Sequence, residues 1–495
     1  MTVRDDHHQQ LTTIAPADDA ADASSLTPEE LAAFGRTLGR LRALPSRDRT
    51  RLHAERQLSS FVMESRKRRR QEARQAEREA DAALLAATST GALARREDAP
   101  LTTAIGSVGD LLKPQRCYIC KQRYQRVDAF YHRLCPACAA DNTARRALST
   151  DLRGRRALLT GGRVKIGFQL ALMMLRDGAE LIVTSRFPQD TVRRFRAAEG
   201  SAQWWDRLTV VGIDLRDPRQ VLGLTEQLRA EGRPLDILVN NAAQTLRRPP
   251  ESYALLAAGE REALPAADRR MIGHAPGFRP PAGAAPLPSG GEGPLSLLSP
   301  ASPASPASLA SLASLASVAS VASLADEAGL LPDLADANSW SAKLGSLDPA
   351  EVLEVQLVNA LAPVLLCDRL LPLLLASPHP ARYIVNVTAV EGRFAVRNKT
   401  PRHPHTNMAK AALNMLTRTS AADLATRGVH LCAVDTGWIT DENPAPAKAR
   451  IADRGFRTPL DIVDGAARVY DPIVRGEAGD PQSGVFLKDY RVADW

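Results

Sequence analysis

At 495 residues, with 44% hydrophobic but only 4% aromatic content, the chain has material for one full domain of about 250 to 300 residues plus appendages. A net charge of +8 and a sequence pI near 9.3 raise the question of an acidic partner, but an excess of Arg and Ala also follows from a GC-rich genome, so charge alone names none. No apolar run reads as long enough to cross a bilayer, and the first thirty residues lack a basic segment followed by an apolar one, which predicts a cytoplasmic protein with no membrane partner.

Residues 1 to about 45 mix Asp, Ala, Thr and Ser without a sustained apolar period and read as mostly disordered. From Arg47 to Ala87 the abundance of Arg, Glu, Gln and Ala predicts a helix carrying the basic run Arg66, Lys67, Arg68, Arg69 and Arg70. A run of this kind serves as a solvated face or as a nucleic-acid contact. Together, 1–100 form a disordered to charged-helical extension. Residues 101–148 hold two CxxC knuckles, Cys117 with Cys120 and Cys135 with Cys138, fourteen residues apart. Four thiolates at this spacing suit a tetrahedral metal, so we expect a structural zinc, with Tyr118, Tyr124, Phe130, Tyr131 and His132 packed around it. The competing disulfide pairing is disfavoured in a reducing compartment. Cys367 and Cys432 sit alone in apolar segments and read as core.

Over 150–495 short buried strands alternate with helices: strands at 157–160, 181–184, 208–214, 236–239, 383–387, 429–434 and 484–487, with helices at 168–176, 352–375 and 408–426 among them. The pattern predicts an α/β Rossmann-type doubly wound parallel sheet of about seven strands. It is interrupted at about 247–346 by a low-complexity insertion whose Ala, Ser and Pro repeats cannot build a core.

The first strand delivers Thr160, Gly161, Gly162, Arg163, Val164, Lys165, Ile166 and Gly167 to a helix start, where free amides and the helix dipole favour phosphate. Asp214 and Leu215 follow the third strand, and Asn240, Asn241, Ala242 and Ala243 the fourth. This combination resembles the short-chain dehydrogenase/reductase family, with its TGxxxGxG turn, its acidic residue for the adenine edge and its NNAG element, over about 155–490. The resemblance implies a nicotinamide dinucleotide held by Thr160, Gly161, Gly162, Arg163, Lys165, Ile166, Gly167, Asp214, Leu215, Asn241, Ala242 and Lys410. Lys165 stands where the family has the glycine that lets backbone approach the pyrophosphate, so its side chain obstructs the cofactor or pairs with it. At the end of the second strand Arg186 replaces the acidic residue that would bind the ribose of NAD. With Arg163 it favours NADP(H) over NAD(H).

The family reacts through serine, tyrosine and lysine, joined by asparagine. Asn359 and Lys410 match the last two. Ala389 falls at the serine and Thr406 at the tyrosine, while Thr436 replaces the proline of the PG element. A slip of one residue would bring Thr388 to the serine position. An aliphatic alcohol is too weak an acid to stand in for a phenol, and loss of a general acid costs about 10² to 10⁴ in rate. Three functions follow from this pattern: an NADP(H)-dependent oxidoreductase with a substituted acid, for which His405, His403 and Glu391 are in range; a catalytically inactive NADP(H)-binding sensor or scaffold; and a nucleic-acid-binding protein using the zinc module and basic helix. The substrate is a small molecule that the sequence does not specify. The resemblance further implies a homodimer or homotetramer formed through the helices at 352–375 and 408–426.

Overall fold

The computed structural model describes residues 26–280, 325–396 and 399–495, and divides at Glu79 into two units. The Ala, Ser and Pro repeat at 299–324 lies outside the described residues.

The first unit is helical. Helix α1 (Pro28–Ala43) starts at a capping box in which Thr27 Oγ1 accepts from the Glu30 amide at 3.2 Å and Thr27 N donates to Glu30 Oε2 at 2.8 Å. This stretch was expected to be disordered; the cap and Pro28 supply the helix start that a missing apolar period concealed. Helix α2 (Arg49–Ala86) matches the expected helix, and its Arg66 to Arg70 run is exposed throughout.

The second unit, from Ala80 onward, is built on a nine-stranded sheet. Its strands are β3 (Arg156–Leu159), β4 (Glu180–Ser185), β5 (Leu208–Gly212), β6 (Ile237–Asn240), β7 (Ile272–His274), β8 (Arg382–Thr388), β9 (Val429–Asp435), β10 (Phe486–Lys488) and β11 (Arg491–Ala493). In space they run β11-β10-β9-β8-β6-β3-β4-β5-β7, all parallel except the β10–β11 hairpin. All seven expected strands are present. The additional β7 comes from the stretch assigned to the insertion: at three residues beside glycine it is too short to show an alternating pattern, yet it completes the edge next to β5.

The central strands β3, β6 and β8 are buried on both faces, as parallel strands between helix layers must be. On one face Leu170, Met174, Phe195, Val469 and Ile473 pack from helices Lys165–Arg176 (α4), Pro188–Ala197 (α5) and Ile462–Glu477. On the other, Leu224, Leu366, Leu370, Leu374 and Leu424 pack from Pro218–Ala230, Ala362–Leu375 and Pro404–Thr426. The segment Pro349–Leu375 corrects the expectation on apolar runs, since by length and composition alone it could cross a membrane, at a mean hydropathy of 1.7. Asp368 and Arg369 break up the run in the sequence. Its inward leucines form the second core layer against the sheet.

The four-cysteine segment is a hairpin, β1 (Ser107–Arg116) with β2 (Arg123–Asp128), followed by the short helix Pro136–Arg145. Val127, Phe130, Tyr131 and Leu134 are fully buried and share a third core with Ile439, Leu460 and Ile462 of the sheet domain. Ion pairs add to that junction, with Arg146 on Asp461 and Asp464 at 2.6 and 3.1 Å and Arg145 on Asp471 at 2.6 Å.

Candidate functional site

A cleft of about 1120 Å³ lies along the carboxyl ends of the parallel strands, where α/β sheets place their ligands. Its nucleotide end is made by main chain. Gly161 takes φ +71°, and a Cβ at Gly167 would stand 2.2 Å from the Gly161 carbonyl oxygen and 2.6 Å from Asn241 Nδ2, so only glycine allows α4 to start this close to the turn. Asn241 Nδ2 donates to the carbonyls of Thr160 and Gly161 at 3.0 Å each, while Thr160 Oγ1 accepts from the amides of Asn241 and Ala242. The ends of β3 and β6 are thereby clamped into one anion-facing edge, and Ile166 and Leu215 line it.

The charged side chains at this end are unequally engaged. Lys165 adopts φ +55°, the conformation a glycine would take, and its ammonium pairs with Asp98 at 3.1 Å and Glu442 at 3.9 Å. Arg163 is tied to Asp190 at 2.7 Å and to the Ala328 carbonyl at 2.8 Å. Asp214 is held by Arg216, which with burial opposing keeps its carboxyl below the usual range. Arg186 alone among these has no carboxylate partner among the described residues; its guanidinium lies 5.3 Å from the Tyr253 ring and 5.7 Å from that of Phe187.

The reaction end is made by side chains. Asn359 sits in a π-helical turn, Leu357–Leu361, and brackets the β6 exit by accepting from the Gln244 amide at 2.7 Å and donating to its carbonyl at 2.9 Å. Lys410 donates to the Val387 carbonyl at 3.0 Å, and burial pushes its pKa down to about 8 despite Glu391 nearby. Thr406 is on the cleft with its hydroxyl buried and unpartnered. Ala389 lines the cleft too, and the Thr388 hydroxyl beside it donates to the Lys410 carbonyl at 3.4 Å, so the serine position carries no free hydroxyl.

His405 is not on the cleft. It is 1% exposed, both ring nitrogens lack partners, and desolvation followed by the His403 charge lowers its pKa. His403 is the histidine that lines the cleft, together with Trp340 and, from the four-cysteine segment, Tyr118 and Lys121. Tyr118 Oη accepts from the Trp438 amide at 3.0 Å, and burial raises its pKa to about 12. His403 precedes helix Pro404–Thr426 in a left-handed conformation, so helical spacing carried no signal for it, whereas 405 lies inside the helix one position from 406 and points elsewhere. Trp340 and Tyr118 come from distant segments, and no local pattern links them to the cleft.

The four cysteine sulfurs lie within 4.8 Å of one another, with Cys120 and Cys135 at 3.6 Å. A tetrahedral zinc with bonds near 2.3 Å would set its sulfurs roughly 3.8 Å apart, so this donor set fits one.

Comparison with known proteins places the site in a family context. A family model described as short chain dehydrogenase matches 155–257, and one described as Enoyl-(Acyl carrier protein) reductase matches 316–455. An uncharacterized protein of Acanthamoeba polyphaga mimivirus is 28% identical over 376 residues, 72% of this chain and 71% of that protein. A probable oxidoreductase of Streptomyces antibioticus is 38% identical over 95 residues, and L-xylulose reductase of Mus musculus 36% over 102. Those alignments cover 19% and 21% of this chain and only 30% and 37% of the two relatives. Among solved structures, an NADPH-bound carbonyl reductase from chicken fatty liver aligns over 70% of this chain and 100% of its own, at 17% identity and a TM-score of 0.41.

Proposed function

The chain belongs to the short-chain dehydrogenase/reductase family, and from that premise we propose that it is an NADP(H)-dependent oxidoreductase with a substituted reaction centre, stiffened by a structural zinc. The observation that carries the reading is the gathering of the glycine turn, Asn359 and Lys410 on one cleft. The cradle fits a dinucleotide, because Gly161, Gly162 and Gly167 carry no Cβ, Lys165 keeps a glycine-like φ at the remaining close-approach position, and the amides there belong to a helix start. When bound, the dinucleotide supplies hydride. Thr160 and Asn241 hold the cradle open, Arg186 offers a guanidinium with no ion pair among the described residues for a 2′-phosphate, and Lys165 would exchange a carboxylate for the pyrophosphate. Asn359 fixes the wall facing Lys410.

The inactive sensor or scaffold is a second reading, favoured by the buried, unpartnered Thr406 hydroxyl and by Ala389. We propose that any self-association uses the apolar residues left exposed on the two helices of the second layer, among them Leu361, Val364, Met408 and Met415. The deciding experiment is a fluorescence titration of the full chain with NADPH and NADH. NADPH should bind about tenfold tighter or more, Arg186→Ala should erase the difference, and flat titrations with both nucleotides end the oxidoreductase and sensor readings together.

A further inference from the structure

A reaction centre whose tyrosine position is Thr406 still needs a group that gives up a proton, and His403 on the cleft is placed to do so. His403 Nδ1 lies 2.8 Å from the Trp340 carbonyl oxygen. A carbonyl only accepts, so Nδ1 carries a hydrogen, and Nε2 on the opposite edge of the ring becomes the nitrogen that gains and loses the second proton. The ring is held flat against the Trp340 indole, with centroids 4.0 Å apart and planes 6° from parallel. Its backbone is held as well: φ is +38°, a left-handed conformation costly for a residue with a Cβ, and its amide donates to the Ala342 carbonyl at 2.8 Å. Strain of this kind persists where the surroundings impose it, and it gathers at functional sites.

The segment that imposes it has no other evident task. Asn338 to Ala342 follows the low-complexity stretch, and it is pinned where Asn338 Nδ2 donates to the Glu442 carbonyl at 2.9 Å and Ser339 Oγ donates to Glu351 Oε1 at 2.5 Å. It presents Trp340 to His403, the residue just before helix Pro404–Thr426, on the same cleft as Lys410.

We propose that His403 is the catalytic proton donor of this site and that Trp340 is its positioning residue, an inference that rests on the oxidoreductase reading above. In the reduction direction the substrate carbonyl carbon gains a hydride from reduced nicotinamide and the π pair moves to oxygen. The Nε2–H bond of the His403 imidazolium breaks to give that oxygen its proton, and water reprotonates the neutral ring. One carbonyl, one NADPH and one proton become one alcohol and one NADP⁺.

The test uses the full chain. Imidazole ¹⁵N spectra should show His403 as the Nδ1–H tautomer with Nε2 titrating, and should show this signature lost in Trp340→Ala but kept in Trp340→Phe. With NADPH and 9,10-phenanthrenequinone as the probe carbonyl, His403→Asn should lower kcat about 10²-fold while the NADPH Kd stays within a factor of two. Asparagine tolerates the left-handed backbone, so the variant should keep its fold. An Nε2–H tautomer, an undiminished rate in His403→Asn, or a wild-type chain that binds NADPH without turning over the quinone would each overturn the assignment. Failure of the wild type to bind NADPH at all would overturn the cofactor reading and the donor assignment with it.

Discussion

The two ends of the cleft are specified by different means. At the nucleotide end the working groups are backbone amides and carbonyls, held by the Thr160 and Asn241 clamp, in which Asn241 Nδ2 donates two hydrogen bonds and Thr160 Oγ1 accepts two. At the reaction end they are side chains from distant segments, some of them buried at a cost: Thr406 Oγ1 is unpartnered and the Lys410 ammonium is desolvated. The first end is defined by glycines in one short stretch, whereas the second depends on how remote segments meet. On the proposed reading, the family frame keeps its cofactor turn while its reaction centre is rebuilt.

The largest effect that would sharpen this contrast is loss of the metal. Structural zinc contributes on the order of 10 kcal/mol in small cysteine sites. Here the four-cysteine segment walls the reaction end through Tyr118 and shares a core with Ile439, Leu460 and Ile462. Stripping with a strong chelator, or Cys138→Ser, should release one zinc per chain by elemental analysis. It should also speed hydrogen exchange at the Trp438 amide, which now donates to Tyr118 Oη, while much of the nucleotide cradle's affinity for NADPH survives. If NADPH binding collapses in step with zinc, the two ends are not independent and the contrast fails.

Lys410 comes next. Burial lowers its folded pKa to about 8, below the value near 10.4 expected in the unfolded chain. Between these values the unfolded state binds more protons, so this group's contribution to stability rises with pH from about 8 to 10, and its full penalty is present below 8. Lys410→Met should be more stable than wild type at pH 7 by roughly 3 kcal/mol, less the lost hydrogen bond to Val387, and the gain should vanish by pH 10. Urea unfolding at the two pH values measures it. A destabilised variant at pH 7 would mean that the reaction end stores no electrostatic strain at this lysine.

The sheet was legible because hydrophobic runs of four to seven residues between glycine-rich turns admit little else, and all seven expected strands lie where the alternation put them. The nucleotide turn was legible because close approach leaves only glycine, and the sixth position of the turn keeps the glycine-like φ even as Lys165. What stayed hidden depends on tertiary contact. Arg163 is paired with Asp190 rather than free for a 2′-phosphate, β7 is too short to carry a period, and Trp340 reaches His403 from 63 residues away with no local pattern.

The smallest effect bears on the histidine that sequence proximity favoured. His405 is adjacent to Thr406 but faces away from the cleft, with two buried nitrogens that gain nothing from the fold. A buried polar group without partners costs about 1 to 3 kcal/mol, and an apolar side chain of similar size avoids that cost. Its folded pKa lies below the ordinary histidine value, so the unfolded state takes up the proton first and stability falls as the pH drops below about 6.5. His405→Leu should therefore be more stable than wild type by about 1 to 2 kcal/mol at pH 7, with the gap widening toward pH 5. Thermal unfolding at both pH values reads the difference. A variant that unfolds earlier and also loses quinone reduction would return His405 to the reaction centre, and the division between a strained face that works and a buried face that only packs would have to be redrawn along this helix.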